Sequence, residues 1–234
     1  MRSALVIPAA GSGSRFGAAL PKQLLALAGR AVLLRSLDAF AGLVDEAVLV
    51  VSADIRGAVE SLLVDQTFPF PVRLVEGGTT RQESVYNGIR ATDPTCHAVL
   101  IHDAVRPLVP RSCIAACLEA LRYEPGAVVA VPCAPTVKRA AADTGVVDTT
   151  VPREGLWLAQ TPQGGRRPLL IEAFARAAAN GWSCSDDAQV MERAGFRVAL
   201  VQGDACNLKI TTPDDWAVAE ALIAARAIKG GGHG

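Results

Sequence analysis

Five short apolar runs, at residues 4–7, 47–51, 72–75, 98–101 and 127–131, constrain this chain more than any other feature. None alternates polar with apolar residues, which is the pattern of a strand buried on both faces. The segments between them are long enough for crossover helices. Together they predict an α/β fold: a Rossmann-like, mostly parallel sheet with helices on both faces. Ligands of such sheets lie at the carboxyl ends of the strands, so the loops that follow the runs are where chemistry is expected.

The rhythm changes after residue 131. Residues 136–140 and 146–151 flank Asp143-Thr144-Gly145, two extended segments around a turn, and predict a β-hairpin arm at about 134–155 that projects from the sheet. The chain then returns through an extended segment at 156–161, helices at 168–179 and 186–194, a strand at 198–201 and a last helix from Pro213 to about Ile228. Thr80-x-x-Glu83 reads as a capping box, and Thr212-Pro213-Asp214-Asp215 as the start of the last helix. No repeat is visible, so residues 1–229 read as one domain and 230–234 as a flexible tail. With 234 residues such a domain buries roughly 70–75% of its unfolded surface.

Composition narrows the function. Lys and Arg number 23, as do Asp and Glu, so the field that a general nucleic-acid binder needs is absent and a local basic pocket is the most to expect. No apolar run is long enough to span a bilayer and no signal-peptide pattern precedes the first strand, which predicts a cytoplasmic protein without a membrane partner. The six cysteines form no C-x-x-C pair and three histidines accompany them, a poor basis for zinc; they read as small buried hydrophobes in a reducing compartment.

Four loops concentrate charge at the predicted carboxyl edge. In Pro8-Ala9-Ala10-Gly11-Ser12-Gly13-Ser14-Arg15-Phe16-Gly17, Gly11 and Gly13 allow a tight turn that offers N–H groups to an anion. The spacing G-x-G-x-x-x-G departs from the dinucleotide fingerprint, and the nearest acidic candidate at the end of the second strand, Asp54, stands some 40 residues on rather than about 20. Arg15 and Lys22 suit a nucleoside triphosphate better, although a Gly-rich turn with nearby cations can also be purely structural. Asp103, at the end of the fourth run, is a candidate Mg²⁺ ligand or, alternatively, a turn-closing side chain. Arg106 can meet a second phosphate or form an ordinary ion pair. Arg81 and Ser84 after Gly77-Gly78, and Lys209 after Asn207, can face the same cleft or remain a helix first turn and a solvated side chain.

These residues, read in order, resemble a known family. Pro8-Ala9-Ala10-Gly11-x-Gly13-x-Arg15, Pro21-Lys22-Gln23, Gly77-Gly78-x-x-Arg81-x-x-Ser84-Val85, His102-Asp103-Ala104-x-Arg106-Pro107, Leu156-Trp157-x-x-x-Thr161-Pro162-Gln163 and Asn207-Leu208-Lys209-Ile210-Thr211 are similar to the 2-C-methyl-D-erythritol 4-phosphate cytidylyltransferases. The first motif is shared with many nucleotidyltransferases; the ordered set is far more specific and spans nearly the whole chain.

The resemblance implies a nucleotidyltransferase-type fold and transfer of CMP from CTP to 2-C-methyl-D-erythritol 4-phosphate, with release of pyrophosphate, on the non-mevalonate route to isoprenoid precursors. It implies Mg²⁺ on Asp103 and a homodimer clasped through the arms. Arg15, Lys22, Arg153 and Lys209 would be catalytic. Pro8, Ala9, Ala10, Gly11, Gly13, Arg15, Lys22, Gly78, Arg81, Ser84, Asp103 and Ala104 would bind CTP. Asp103, Arg106, Thr136, Arg153, Ser185 and Lys209 would bind the acceptor, with Thr136, Arg153 and Ser185 completing the site across the dimer. Ser185 stands where the family usually has threonine, and it also reads as the N-cap of the next helix; Cys206 stands where an acidic residue is frequent. The runners-up are a cytidylyltransferase for another alditol phosphate such as ribitol 5-phosphate, a non-catalytic nucleotide-binding regulator, and a dehydrogenase.

Overall fold

A computed structural model describes residues 1–11, 21–142 and 145–230. Gly13 and Arg15 of the first loop, Asp143 and Thr144 of the arm's turn, and the tail beyond residue 230 lie outside the described residues.

Along the chain, β1 (Ser3–Pro8) is followed by a small hairpin, β2 (Ala26–Leu27) and β3 (Arg30–Ala31), and by α1 (Val32–Asp38). Three strands then each precede a helix: β4 (Glu46–Val51) with α2 (Ala53–Leu63), β5 (Val72–Glu76) with α3 (Arg81–Ala91), and β6 (Ala98–Ile101) with α4 (Arg111–Tyr123). β7 (Gly126–Pro132) leads into the arm, formed by β8 (Val137–Ala140) and β9 (Val147–Val151), and β10 (Trp157–Arg166) returns to the sheet. α5 (Arg167–Ala179), α6 (Asp187–Arg193), β11 (Val198–Gln202) and α7 (Pro213–Gly230) follow.

The seven-stranded sheet has the order β11-β7-β10-β6-β1-β4-β5. β10 runs antiparallel to both neighbours and every other pairing in the sheet is parallel. The unalternating runs have a direct cause in the two helical layers. Leu5 and Ile7 of β1 pack with Leu33 and Leu37 of α1, Val59 of α2, and Ile114 and Leu121 of α4. Ala4 and Val6, one residue out of phase, pack with Ile89 of α3, Phe174 of α5 and Met191 of α6. A third cluster seats α7 through Ala219 against Leu27, Val105, Leu108 and Ile210.

Three local expectations need adjustment. The Thr80 side chain accepts from the Glu83 N–H as a cap should, and the Glu83 carboxylate reaches back as the box requires, its short bonds going to the N–H and hydroxyl of Thr79, one residue further out. The cap of α6 is Asp186, whose Oδ1 accepts from the Gln189 N–H at 2.9 Å; Ser185 lies one position too early for that role. The extended segment expected at 156–161 continues to Arg166, because Gly164 and Gly165 lie against β6 and the flanking helices where no side chain fits. All six cysteines are unpaired; four are buried, and Cys184 and Cys206 are half-buried. Among the described residues no helix is long and apolar enough to cross a membrane.

The close approach of α3 to the sheet rests on Gly88. A Cβ there would fall 2.5 Å from Val6 Cγ1 and 2.7 Å from Val50 Cγ2, both in the packed interior. Gly88→Ala is expected to destabilise the fold by about 1–3 kcal/mol through overpacking. Urea denaturation checks this as a lowered midpoint at constant slope; an unchanged midpoint means that α3 yields without cost.

Candidate active site

The site begins where β1 ends. The Ala9 N–H still donates to the Val50 carbonyl at 2.7 Å, so the chain leaves the sheet just before Gly11. After the Gly-rich loop it re-enters at a short 3-10 turn, Lys22–Leu24, whose Gln23 is buried. Gln23 Nε2 donates to the carbonyls of Ala9 at 2.8 Å and Gly11 at 3.1 Å, tying the two ends of the loop together. Lys22 is thereby set at the edge of the sheet.

A second wall comes from the turn between β5 and α3. Ser84, nearly fully buried, accepts from the Gly78 N–H at 3.0 Å and donates to the Thr80 carbonyl at 2.9 Å. Gly78 has no room for a side chain, since a Cβ would collide with Glu83. This turn therefore presents backbone to the cleft.

The third element is the loop after β6. Asp103 is 7% exposed, yet its environment keeps it charged. Its Oδ2 lies 3.1 Å from Lys209 Nζ and 3.2 Å from Arg106 Nε, and its Oδ1 lies 3.7 Å from Arg81 Nη2. Burial disfavours the carboxylate, but Lys209, Arg81 and Arg106 more than compensate and bring its pKa down to about 2. Its backbone is held as well: the Asp103 N–H donates to the Thr161 hydroxyl at 3.1 Å. Thr161 in turn meets His102 Nδ1 at 2.9 Å, and His102 Nε2 faces the Arg106 carbonyl at 3.1 Å. A carbonyl accepts only, so Nε2 carries the proton and Nδ1 accepts from Thr161. Burial pulls the His102 pKa down to about 4, so the ring is a neutral strut.

Arg81 is anchored from the far side. Its Nη1 and Nη2 donate to the two oxygens of Asp187, the first residue of α6, at 2.9 and 2.8 Å. Burial works against the guanidinium charge, but Asp187 first, then Asp103 and Asp186, outweigh it and raise its pKa.

These walls enclose a cleft of about 450 Å³. Of the residues singled out from sequence, Pro8, Ala9, Ala10, Gly11, Lys22, Gly78, Arg81, Ser84, Asp103, Ala104 and Lys209 line it together. Arg106 stands behind Asp103 and spends Nη1 on the Asn207 carbonyl at 2.7 Å, so it does not line the cleft. Thr136 and Arg153 are exposed on the arm, where Arg153 donates to the Ala134 carbonyl; Ser185 is exposed ahead of α6 and its N–H donates to Gln189 Oε1 at 2.7 Å. None of these three lines the cleft.

Sequence reasoning missed Gln23, Thr161 and Asp187 as site builders. Gln23 and Thr161 stood inside quoted motifs, and their buried bonds could have been sought there. Nothing local marks Asp187, which shows itself through a partner 106 positions away.

Comparison with known proteins covers the same ground. The family model described as 2-C-methyl-D-erythritol 4-phosphate cytidylyltransferase matches residues 3–225. A Deinococcus radiodurans protein of that name is 46% identical over 221 residues, covering 94% of this chain and 89% of its own length. A Geotalea uraniireducens protein of the same name is 42% identical over 228 residues, covering 95% and 97%. Among solved structures, a 4-diphosphocytidyl-2C-methyl-D-erythritol synthase from Anaerococcus prevotii superimposes with a TM-score of 0.83 at 31% identity, covering 95% of this chain and 98% of its own. The 2-C-methyl-D-erythritol 4-phosphate cytidylyltransferase from Thermus thermophilus gives 0.78 at 36% identity, with the same coverage. Since the likeness extends over the sheet, its cleft and nearly the full length of each relative, this chain belongs to the 2-C-methyl-D-erythritol 4-phosphate cytidylyltransferase family.

Proposed function

We propose that the chain transfers CMP from CTP to 2-C-methyl-D-erythritol 4-phosphate and releases pyrophosphate, a step of non-mevalonate isoprenoid precursor synthesis. One observation carries this reading: Lys22, Arg81 and Lys209 line a single cleft with the ionised Asp103, beside a Gly78–Ser84 turn that offers its backbone. Two lysines and an arginine sharing a cleft with one carboxylate suit a ligand rich in phosphate charge, and in this reading the Ala9, Ala10, Gly78 and Ser84 side of the cleft would take the cytidine.

In the reaction an oxygen of the acceptor phosphate forms a bond to the α-phosphorus of CTP as the bond to the pyrophosphate oxygen breaks. A phosphate dianion is already nucleophilic, so no side chain has to remove a proton. The barrier is the approach of two polyanions, and the chain lowers it by positioning and preorganised charge. Lys22 offers a compact charge to the triphosphate, as the resemblance also asks of Arg15, and Arg81 forms a fixed cationic wall. Lys209, steered by Asp103, would receive the acceptor phosphate, with Arg106 supporting from behind.

The residues fit Mg²⁺. Asp103 Oδ1 lies 3.7 Å from Arg81 Nη2, beyond hydrogen-bond reach of it, and is a hard oxygen donor beside the phosphate cleft. Asp103 would hold the ion from the protein side, since Mg²⁺ is bound through one or two carboxylates and substrate phosphates rather than by an all-protein cage. Bound there, Mg²⁺ would neutralise charge on the triphosphate.

The arm supports a homodimer. Its exposed Val146 and Val147, with Leu156 and Leu158 at its base, form apolar surface suited to a second protomer. The arm would carry Thr136 and Arg153 into the partner's cleft and complete an acceptor site to which Ser185 contributes. Six unpaired thiols suit a cytoplasmic setting.

The direct test supplies CTP, Mg²⁺ and 2-C-methyl-D-erythritol 4-phosphate, or ribitol 5-phosphate in a parallel arm, and follows pyrophosphate and the cytidylyl product. Turnover confined to the ribitol arm replaces the acceptor, and none with either removes the reading. Lys22→Ala is expected to keep the wild-type melting temperature and lower kcat by roughly 10²–10³; a near-normal kcat takes Lys22 out of the mechanism. Mixing inactive Lys22→Ala and Arg153→Ala subunits should recover activity up to about a quarter of wild type, from one intact site in each heterodimer. No recovery after demonstrated subunit exchange means that the sites are not shared.

A further inference from the structure

Asp187 is the most deeply buried carboxylate near the cleft, and the reaction outlined above gives it no part. It is 2% exposed at the start of α6, where an acid would ordinarily favour the N–H groups of its own helix. That work is done by its neighbour: Asp186 caps the helix through Oδ1 and accepts from Gln163 Nε2 through Oδ2 at 3.1 Å. Asp187 instead crosses to α3 and takes both terminal nitrogens of Arg81.

The consequence lies at Asp103. Arg81 Nη2 lies 2.8 Å from Asp187 Oδ2 but 3.7 Å from Asp103 Oδ1, within reach of its field and beyond a hydrogen bond. Lys209 and Arg106 both approach the other oxygen, Oδ2. Of the three ion pairs at Asp103, the one at Oδ1 is the longest and falls short of a hydrogen bond. Two carboxylates compete for one guanidinium, and the bidentate geometry settles the competition in favour of the one outside the cleft.

We propose that Asp187 is a positioning residue that anchors Arg81 and holds it off Asp103, keeping Asp103 Oδ1 available to a divalent cation. Without it Arg81 turns to Asp103, the carboxylate with which it already forms an ion pair, closes on Oδ1, and competes with the metal for that atom. This proposal rests on the cytidylyltransferase reading, with Asp103 as the metal carboxylate.

Its test reads metal binding apart from turnover. Mn²⁺ binding to the protein with saturating CTP, followed by electron paramagnetic resonance, is expected to weaken about tenfold or more in Asp187→Asn, the scale of one charge-assisted hydrogen bond newly formed at Asp103. The Mg²⁺ concentration for half-maximal activity should rise in parallel. Combining Asp187→Asn with Arg81→Gln removes the competing guanidinium and is expected to restore Mn²⁺ binding towards wild type while kcat stays low. A merely structural Asp187 predicts a lowered melting temperature with no rescue of metal binding by the second change, and that pattern, or unaltered Mn²⁺ binding in Asp187→Asn, overturns the proposal.

A crystal structure of the wild-type Mn²⁺–CTP complex gives a reading independent of how the variants fold. Arg81 bidentate on Asp187 with the metal on Asp103 is expected; Arg81 seated on Asp103 overturns the proposal. Wild-type protein that shows the Mn²⁺ pattern but makes no product from the acceptor fails the acceptor assignment and leaves the role of Asp187 supported.

Discussion

A carboxylate kept ionised inside the protein, Asp103, is the constraint around which the cleft is organised. Withdrawing a carboxylate from water costs several kcal/mol unless opposite charge and hydrogen bonds replace the solvent, and removing one partner of a buried pair typically costs about 3–5 kcal/mol. Asp103 meets that demand with Lys209, Arg81 and Arg106, drawn from three separate stretches of chain. The loops that carry them have to come together for the fold to tolerate Asp103 at all. The cluster of positive charge that a triphosphate needs is therefore present before any ligand arrives.

The sheet determines where this happens. Parallel β1, β4, β5 and β6 deliver their carboxyl ends, and so Pro8, Gly77 and Asp103, to one edge. The antiparallel β10 would by itself bring backbone of the opposite sense between β6 and β7. Its register shifts between Ala159 and Gln163, and Thr161, within that irregularity, places its hydroxyl against the Asp103 N–H. Asn207 ties the same irregularity to the Lys209 loop, donating to the Thr161 carbonyl at 2.7 Å and to Gln160 Oε1 at 3.1 Å. A break in strand regularity is thus the joint on which the acidic and basic sides of the cleft meet.

Much of the fold was legible in the chain because burial on both faces leaves a strong trace: a strand such as β4 is buried at every position and, after Glu46, apolar throughout. β2 and β3, two residues each, are too short for any period to register. The end of β10 was not legible beyond Thr161: Gly164 and Gly165 are demanded by close packing against β6 and its neighbours, a tertiary cause with no local mark. In the site, Lys22, Arg81, Asp103 and Lys209 were legible because each follows a strand. Asp187 was not, because an acid in a helix first turn has an adequate local explanation and its real partner is remote. Ser185 illustrates the converse: it reads as the N-cap of α6 in sequence, and the backbone gives that place to Asp186 instead.

The arm links the cleft to assembly. A two-stranded hairpin is marginal by itself in water, and this one buries little of its own surface, with most of β8 and β9 exposed. At its base the Cys133 N–H meets the Leu156 carbonyl at 2.9 Å, which ties its two ends together where they leave the sheet. In the proposed dimer the second protomer supplies the missing burial, so ordering the arm and placing Thr136 and Arg153 become one event. The charge arrangement around Asp103 needs no such partner, since Lys209, Arg81 and Arg106 all come from the same chain. In that proposed dimer CTP binding would rest on an electrostatic balance internal to one subunit, whereas acceptor binding would need both that balance, through Lys209, and apolar surface buried between two subunits. Dilution would then act on the acceptor site before it touched the CTP site.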